Sequence, residues 1–356
     1  MTDRRAWGIG LATLTDEDQT LDVWFPTPAL GAPPKDSSGP YGVPADLAAL
    51  ATTDRSRRTR QVVRHVSIDL DEPPADAADA YLRLHLLSHR LVQPGSVALE
   101  GIEDVLPVVV WTSSGPCAVE SFEQVRLALR LAAKGAPVRV YGVDILPRMS
   151  DYVVPPGVRI ADADRIRLGA YLAEGTTVSH EGLVTYNAGT LGAAVIQGRL
   201  SEGVVVQAGT TVGGGASIMG TDPGSAHISV GRDCLLGANA GVGISLGDAC
   251  TVEAGLYVTA GTKVNLVAEG EEMVVPAREL AGRSGLLFRR NSVSGAVEAI
   301  TATGAEAQSD ADAQSGTGSG GHAGGRGTSA GGRGTSAGGR GATEPGAGAG
   351  DQPQEW

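Results

Sequence analysis

The sequence predicts a mostly β chain: a parallel β-helix, preceded by a small α/β domain and closed by a short cap. Three observations predict it. Between Ile160 and Val264 an aliphatic residue returns every six positions, a period that suits neither a helix of 3.6 residues per turn nor a strand buried on one face. Between the aliphatics stand Gly, Ala, Asn and Thr, as in Leu172-Ala-Glu-Gly-Thr-Thr, Val206-Gln-Ala-Gly-Thr-Thr and Val258-Thr-Ala-Gly-Thr-Lys, residues that tolerate tight corners. Ahead of Asp151, strand-like and helix-like patterns alternate instead. In a parallel β-helix each hexad supplies one short strand and one corner, and three hexads close a coil. About six coils at a strand spacing of about 4.8 Å make a prism about 28 Å long, enough to hold a core.

The phase of the repeat slips. Ile160, Ile166, Leu172, Val178 and Val184 share one register; Leu200, Val206, Val212, Ile218, Val230, Leu236 and Val242 share a second; Leu246, Val252, Val258 and Val264 share a third. A solenoid bulges or loops out where its register changes. Breaks are therefore expected from Asn187 to Gly198 and from Gly243 to Ser245, with a looser insertion from Thr221 to His227. Ligand-contacting backbone is expected at these places.

At 356 residues the chain is longer than one β-helix needs. Its 28 basic and 40 acidic residues, a net charge of -12, argue against a general nucleic-acid or membrane-surface role. Three cysteines, Cys117, Cys234 and Cys250, show no metal-binding spacing and suit a reduced compartment. No run approaches 18 apolar residues and no apolar leader opens the chain, so a cytoplasmic protein is expected.

In order, residues 1–150 read as the α/β domain. Trp7 to Leu14 and Leu21 to Phe25 read as strands, Pro26 to Pro44 as a long loop, and Ala45 to Thr52 as a short helix. Arg55, Arg57, Arg58, Arg60 and Arg64 form a basic run, read as a solvated face against an anion-binding patch. Val66 to Leu70 reads as a strand, and Ala75 to Val92 as a helix opened by Pro73-Pro74 and early Asp residues. Leu106 to Trp111 and Val138 to Tyr141 read as strands. Between them Phe122 to Lys134 reads as a helix, with Ser121 and Gln124 as a capping box and Gly135 at its stop. Residues 151–266 make the β-helix and 267–302 a cap over its open end. Residues 303–356, with Gly-Gly-Arg-Gly-Thr-Ser-Ala recurring, read as a disordered tail.

No phosphate loop, nucleophile elbow or His-Glu-x-x-His motif is present. His180 and His227 alone in the repeat do not make a three-histidine zinc set. More specific are the segments Asn187-Ala-Gly-Thr-Leu-Gly, Gly213-Gly-Gly-Ala-Ser-Ile-Met-Gly220, Gly243-Ile-Ser-Leu-Gly-Asp, Val252-Glu-Ala-Gly-Leu-Tyr and Leu287-Phe-Arg-Arg-Asn-Ser-Val-Ser-Gly-Ala-Val-Glu. With them the chain resembles tetrahydrodipicolinate N-succinyltransferases of the actinobacterial type, over roughly Trp7 to Ile300.

The resemblance implies left-handed coils, a homotrimer with active sites between neighbouring prisms, and transfer of a succinyl group from succinyl-CoA to a small-molecule amine in lysine and diaminopimelate biosynthesis. It implies donor binding at Arg199, Ser217, Glu253, Ala254, Gly261, Arg289, Arg290, Asn291 and Ser292, and Mg²⁺ on the trimer axis at Asp164 and Glu181. Those two lie almost one 18-residue coil apart, a spacing that could stack them on one face, and carboxylates suit a hard cation. Gly220 would place a backbone N–H beside the reacting carbonyl. Two positions depart from the family. Gln197 stands where members carry a proposed catalytic glutamate, and an amide can only hydrogen-bond. Pro276 stands where members carry a lysine, which predicts one lost phosphate contact. With Gln197, direct attack of the amine on the thioester remains open, with Glu202 as a nearby carboxylate, as do a different amine acceptor and a non-catalytic trimer.

Overall fold

The computed structural model describes residues 4–34, 42–219, 227–268 and 271–301, which fall in one compact unit. The sequence-predicted tail and most of the Thr221 to His227 insertion, together with Gly220, lie outside the described residues.

The leading part runs β1 (Arg5–Thr15), β2 (Thr20–Trp24), β3 (Ala29–Leu30), α1 (Ala45–Ala49), β4 (Thr53–Asp54), β5 (Thr59–Asp69), α2 (Ala77–Ser88), α3 (Ile102–Val105), β6 (Val109–Thr112), β7 (Gly115–Ala118), α4 (Phe122–Ala132) and β8 (Val140–Asp144). β1 pairs antiparallel with β5 along its length and with β2 on its other side, in the order β2-β1-β5-β4. β7, β6 and β8 form a second sheet. Leu82, Leu84, Leu86 and Leu87 are all fully buried, so α2 has no solvent face and is the centre of this part. Its buried cation, Arg83, is compensated by the buried Asp79 of the same helix. The guanidinium pairs with Asp79 at 2.6 Å and donates to the Asp69 and Ala98 carbonyls, as a buried cation requires.

Several boundaries differ from the sequence reading. α2 starts at Ala77 rather than at the proline pair, because the Asp76 carboxylate accepts the Asp79 N–H at 2.9 Å and caps it there. α4 has Ser121 at its N-cap but no side-chain cap, so the capping box does not form; the Ser121 carbonyl takes the Gln124 and Val125 N–H groups. It ends through Lys134 and Gly135, both at positive φ, with the Gly135 N–H on the Arg130 carbonyl. The basic run is largely a solvated face, with Arg55, Arg58 and Arg64 exposed and only Arg57 buried. Arg60 and Arg64 lie within β5, whose first residues extend well ahead of Val66, and Arg57 is buried against Asp54 at 2.7 Å.

The repeat forms a three-faced parallel β-helix. Val178 stacks on Ile160, Val184 on Ile166 and Thr190 on Leu172, eighteen residues to the coil. Leu200 then pairs with Val184 and Ile196 with Val212, sixteen apart, so the first shortening falls at Gln197, Gly198 and Arg199. Ile228 lies on Val204 and Leu236 on Val212, twenty-four apart, which locates the insertion between Ile218 and Ile228. Leu246 on Val230 and Val252 on Leu236 return to sixteen, the second shortening at Gly243 to Ser245. The aliphatics at these rungs are almost fully buried. Past the last coil, Leu286–Arg290 stacks on Val252 through Phe288, and Val297–Thr301 and the Lys263–Ala268/Glu271–Pro276 hairpin continue the same sheet as the cap.

The leading part and the prism share one apolar core. Ser88, the last residue of α2, accepts the Gly169 N–H at 2.8 Å and donates to the Ala170 carbonyl at 3.1 Å, pinning the helix to the first coil.

Gly189 is required in the second coil, at the strand position paired with Tyr171. Its φ is +154°, and a Cβ there would collide with the Tyr171 carbonyl, which is backbone and cannot move aside. Gly189→Ala is expected to cost at least ~2 kcal/mol, read as a lowered denaturation midpoint with unchanged slope. His85 supplies a second test. It is fully buried, its Nε2 accepts the Phe25 N–H, and its Nδ1–H donates to the Tyr81 carbonyl at 2.8 Å. Burial pushes its pKa down from 6.5 to about 3. The folded state therefore keeps it neutral while the unfolded chain protonates it below pH 6.5. Its contribution is complete above pH 6.5 and declines as pH falls toward about 3. Denaturation midpoints taken from pH 7 to pH 4.5 should fall, and His85→Gln should flatten that slope.

Candidate functional site

One edge of the prism collects most of the residues that the sequence singled out. It is the corner between the face starting at Arg159–Ile160 and the face containing Leu183–Val184. Down it stand Asp164 in the first coil, Glu181 in the second, Gln197 in the third, Gly214 in the fourth, Asn239 in the fifth and Glu253 to Gly255 in the sixth. The third coil is the shortened one, so its corner is drawn in. Glu181 reaches across the resulting notch: its Oε2 lies 2.8 Å from where a Cβ on Gly214, two coils away, would sit. Gln197 sits half-buried in that notch, its N–H on the Val212 carbonyl at 2.8 Å.

Along the adjoining face the outward residues form one ladder, Leu183, Arg199, Ser217, Gly241 and Tyr257. Arg199 is exposed. The Ser217 hydroxyl is buried without a hydrogen-bond partner. Below it Gly241 has no side chain, and the Tyr257 ring occupies the space that a Cβ there would fill. The Ser217 hydroxyl is thus a buried donor and acceptor with no partner within the chain.

At the far end the cap closes on the corner. Glu253 Oε2 accepts the Arg290 N–H at 2.6 Å, and the Glu253 N–H donates to the Phe288 carbonyl. Arg289 pairs with Glu298 at 3.0 Å, and Asn291 Nδ2 donates to the same carboxylate at 2.6 Å. The turn after Asn291 leaves Ser292 exposed. Of the expected donor set, the structure brings Glu253, Ala254, Arg289, Arg290 and Asn291 together, although 36 positions separate Glu253 from Arg289 in the chain. Arg199 and Ser217 are adjacent on the ladder, while Gly261 stands apart in the turn before Lys263–Ala268. Gly220 lies outside the described residues. Sequence reasoning missed Glu298, which was legible as the one acid in the cap strand, and Tyr257. It also missed Lys263, which faces Pro276 directly across the cap hairpin.

Asp164 and Glu181 stand on the same corner in successive coils, with the Arg165 guanidinium on the Glu181 carbonyl at 3.0 Å. Asp164 Oδ1 accepts from Arg148 at 3.0 Å, and Glu181 is turned toward Gly214. Among the described residues no group of three or more His, Cys, Asp or Glu could hold a metal ion within one chain. Glu202 is committed elsewhere, accepting the Tyr186 hydroxyl at 3.0 Å on the next corner.

A parallel β-helix of hexapeptide repeats with a cap-closed, arginine-bearing corner defines a hexapeptide-repeat protein of the succinyltransferase class, and residues 227–260 match the family described as the hexapeptide repeat of succinyl-transferase. Residues 106–148 match the middle region of tetrahydrodipicolinate N-succinyltransferase. Two proteins named 2,3,4,5-tetrahydropyridine-2,6-dicarboxylate N-succinyltransferase are 53% identical to the chain: one from Pseudomonas putida over 264 residues (73% of this chain, 76% of that protein), one from Pseudomonas aeruginosa over 260 (72% and 75%). A solved structure from Campylobacter jejuni, described as a candidate 2,3,4,5-tetrahydropyridine-2-carboxylate N-succinyltransferase, superposes with a TM-score of 0.69 at 27% identity, covering 84% of this chain and 92% of that one. The chain belongs to the tetrahydrodipicolinate N-succinyltransferase family.

Because the Ser217 hydroxyl makes no hydrogen bond, Ser217→Ala should change stability by less than about 0.5 kcal/mol while weakening acyl-CoA binding roughly fivefold to tenfold, read by denaturation and by calorimetric titration with succinyl-CoA.

Proposed function

We propose that this protein transfers the succinyl group of succinyl-CoA to the amine of tetrahydrodipicolinate in its open-chain form, in lysine and diaminopimelate biosynthesis. The observation that carries the reading is 53% identity to proteins of that name over nearly three quarters of the chain. The proposal extends to left-handed coils, a homotrimer in the cytoplasm, and the division into residues 1–150, 151–266, 267–302 and 303–356.

In this reading the donor runs down the Arg199 and Ser217 ladder toward the cap. Arg199, Ser217, Glu253, Ala254, Gly261, Arg289, Arg290, Asn291 and Ser292 would contact it, the arginines facing phosphate as forked donors. Arg289 would have to share its guanidinium with Glu298. Lys263, opposite Pro276, offers a cation on the hairpin face where the family's lysine is missing. Gly220 would donate its N–H to the developing oxyanion.

Gln197 limits the chemistry. Its amide can orient the thioester or the amine but cannot take the proton that leaves the amine on attack. Tyr186 already occupies Glu202, so that carboxylate does not replace it. Transfer then rests on positioning, with the proton passing to solvent. The same residue supports a second reading, a CoA-dependent acyltransferase for another amine or a trimer impaired in catalysis.

Mg²⁺ fits the single chain only in part, since Asp164 has given one oxygen to Arg148 and a Glu181 oxygen lies beside Gly214. A cation there would need carboxylates from neighbouring protomers on the three-fold axis, and no step of the reaction passes through it.

Thiol release from succinyl-CoA, with and without tetrahydrodipicolinate, tests the proposal. Amine-dependent release by the unaltered protein is expected, rising ~10²-fold or more in Gln197→Glu if a base is restored. Release by the variant alone would favour the impaired reading, and release by neither would remove the assignment.

A further inference from the structure

Helix α4 carries apolar residues on two opposite sides. Phe122, Val125 and Leu129 are buried with Val110 and Cys117 in a small core of their own. At 3.6 residues per turn Leu127 and Leu131 fall about 160° round the helix from Val125 and Leu129, and they are 62% and 72% exposed. A helix packed on one side only carries charged or polar residues on the other. Scattered exposed leucines are ordinary, but these two stand one turn apart and make one continuous strip.

The charges around the strip are sorted by end. Glu120 and Glu123 stand at the start of the helix and Arg130 and Lys134 at its end, all four exposed. Within the chain Glu123 meets Arg126 at 3.0 Å, a surface pair that leaves the Glu123 side chain 80% exposed. Arg130 reaches the Gly135 carbonyl at 3.5 Å, and among the described residues no carboxylate pairs with it or with Lys134.

This order of charges selects the partner. A second copy laid antiparallel across the strip, with the two-fold axis through Leu127, places Glu123 beside the second copy's Arg130 and Leu131, and the same contact repeats on the other side of the axis. A parallel copy would oppose acid to acid and base to base. The antiparallel arrangement also sets the two helix dipoles in opposition. At the helix start a groove of about 390 Å³, lined by Val119, Phe122 and Val143, adjoins Glu123 and so lies next to the second copy's Leu131.

We propose that the α4 face carrying Leu127 and Leu131 is a two-fold docking surface for a second copy of this chain. It shares no residue with the corner, the ladder or the cap, and the assignment does not rest on succinyl transfer. One helix face is small beside a standard interface of about 1,600 Å², so association in the micromolar range or weaker is expected.

Full-length protein is examined by sedimentation velocity up to about 0.5 mM. A species of twice the mass of the smaller one is expected to grow with concentration, whatever number of chains the smaller one holds. Leu127→Glu should weaken this doubling roughly tenfold or more, with Leu131→Gln as the second variant should the first not fold. Glu123→Arg and Arg130→Glu should each weaken it, and the two changes in one chain should restore it, because the two-fold sets position 123 of one copy beside position 130 of the other. A single mass at every concentration would overturn the assignment and leave a different protein as the occupant of the face. Doubling unchanged in the folded leucine variants, or a double charge variant no better than the single ones, would overturn it as well. Thiol release, measured separately, reports on the transferase reading alone.

Discussion

Each coil of the prism must place its inward aliphatic over one in the coil before, with the backbone in parallel register, and the rest of the molecule follows from that demand. The inward positions are fixed to three columns, so any residue gained or lost has to appear at a corner. The chain loses two residues at Gln197 to Arg199 and again at Gly243 to Ser245, and gains six between Ile218 and Ile228. The core is unaffected, because Ile196, Leu200, Ile218 and Val230 remain buried on either side of the changes. The surface carries the consequence. A shortened corner draws in, and the neighbouring coils then overhang it, as Glu181 does above Gln197. Irregularity that would ruin a core is in this way converted into a notch.

The two ends of the prism are closed by different means. At the first coil the buried helix α2 is tied in by Ser88, and the chain enters through Met149, whose N–H donates to the Ile166 carbonyl. At the last coil Phe288 stacks on Val252, and the strand that carries it continues directly into Arg289 and Arg290. End closure and charge placement are thus one event in the chain. The cap strand that buries Phe288 also sets the Arg290 N–H on Glu253 and the Arg289 guanidinium on Glu298. Buried apolar area supplies the stability for this arrangement, since surface ion pairs of this kind contribute little.

Charge elsewhere follows the same economy of pairing. Arg83, Arg57 and Arg148 each meet a carboxylate from their own neighbourhood, and in each case the acid lies three or four residues away. Asp22 differs because its closest donor, the Tyr152 hydroxyl at 2.6 Å, comes from a segment far along the chain. Cys234 and Cys250 show how the coil stacks like on like: both are free and buried, and the Cys250 N–H meets the Cys234 sulfur at 3.4 Å.

The β-helix was legible in the sequence because a six-residue period is a local property, repeated often enough to fix both the strands and the places where the register slips. The corner residues Gln197, Glu253 and Arg289 were legible through the segments around them. Helix starts were less so. Nothing local distinguishes Asp76, which caps α2, from the proline pair before it, and Ser121 with Gln124 has the form of a capping box that the backbone leaves unmade. Only the tertiary structure decided which groups meet: the Arg290 N–H on Glu253, Arg289 on Glu298, Lys263 across from Pro276, Arg148 on Asp164, and Asp22 beneath Tyr152. Each of these depends on how many residues every coil and connection takes up. Periodicity determines which residues face inward, and the lengths of the irregular corners, summed through the stack, determine which outward residues become neighbours.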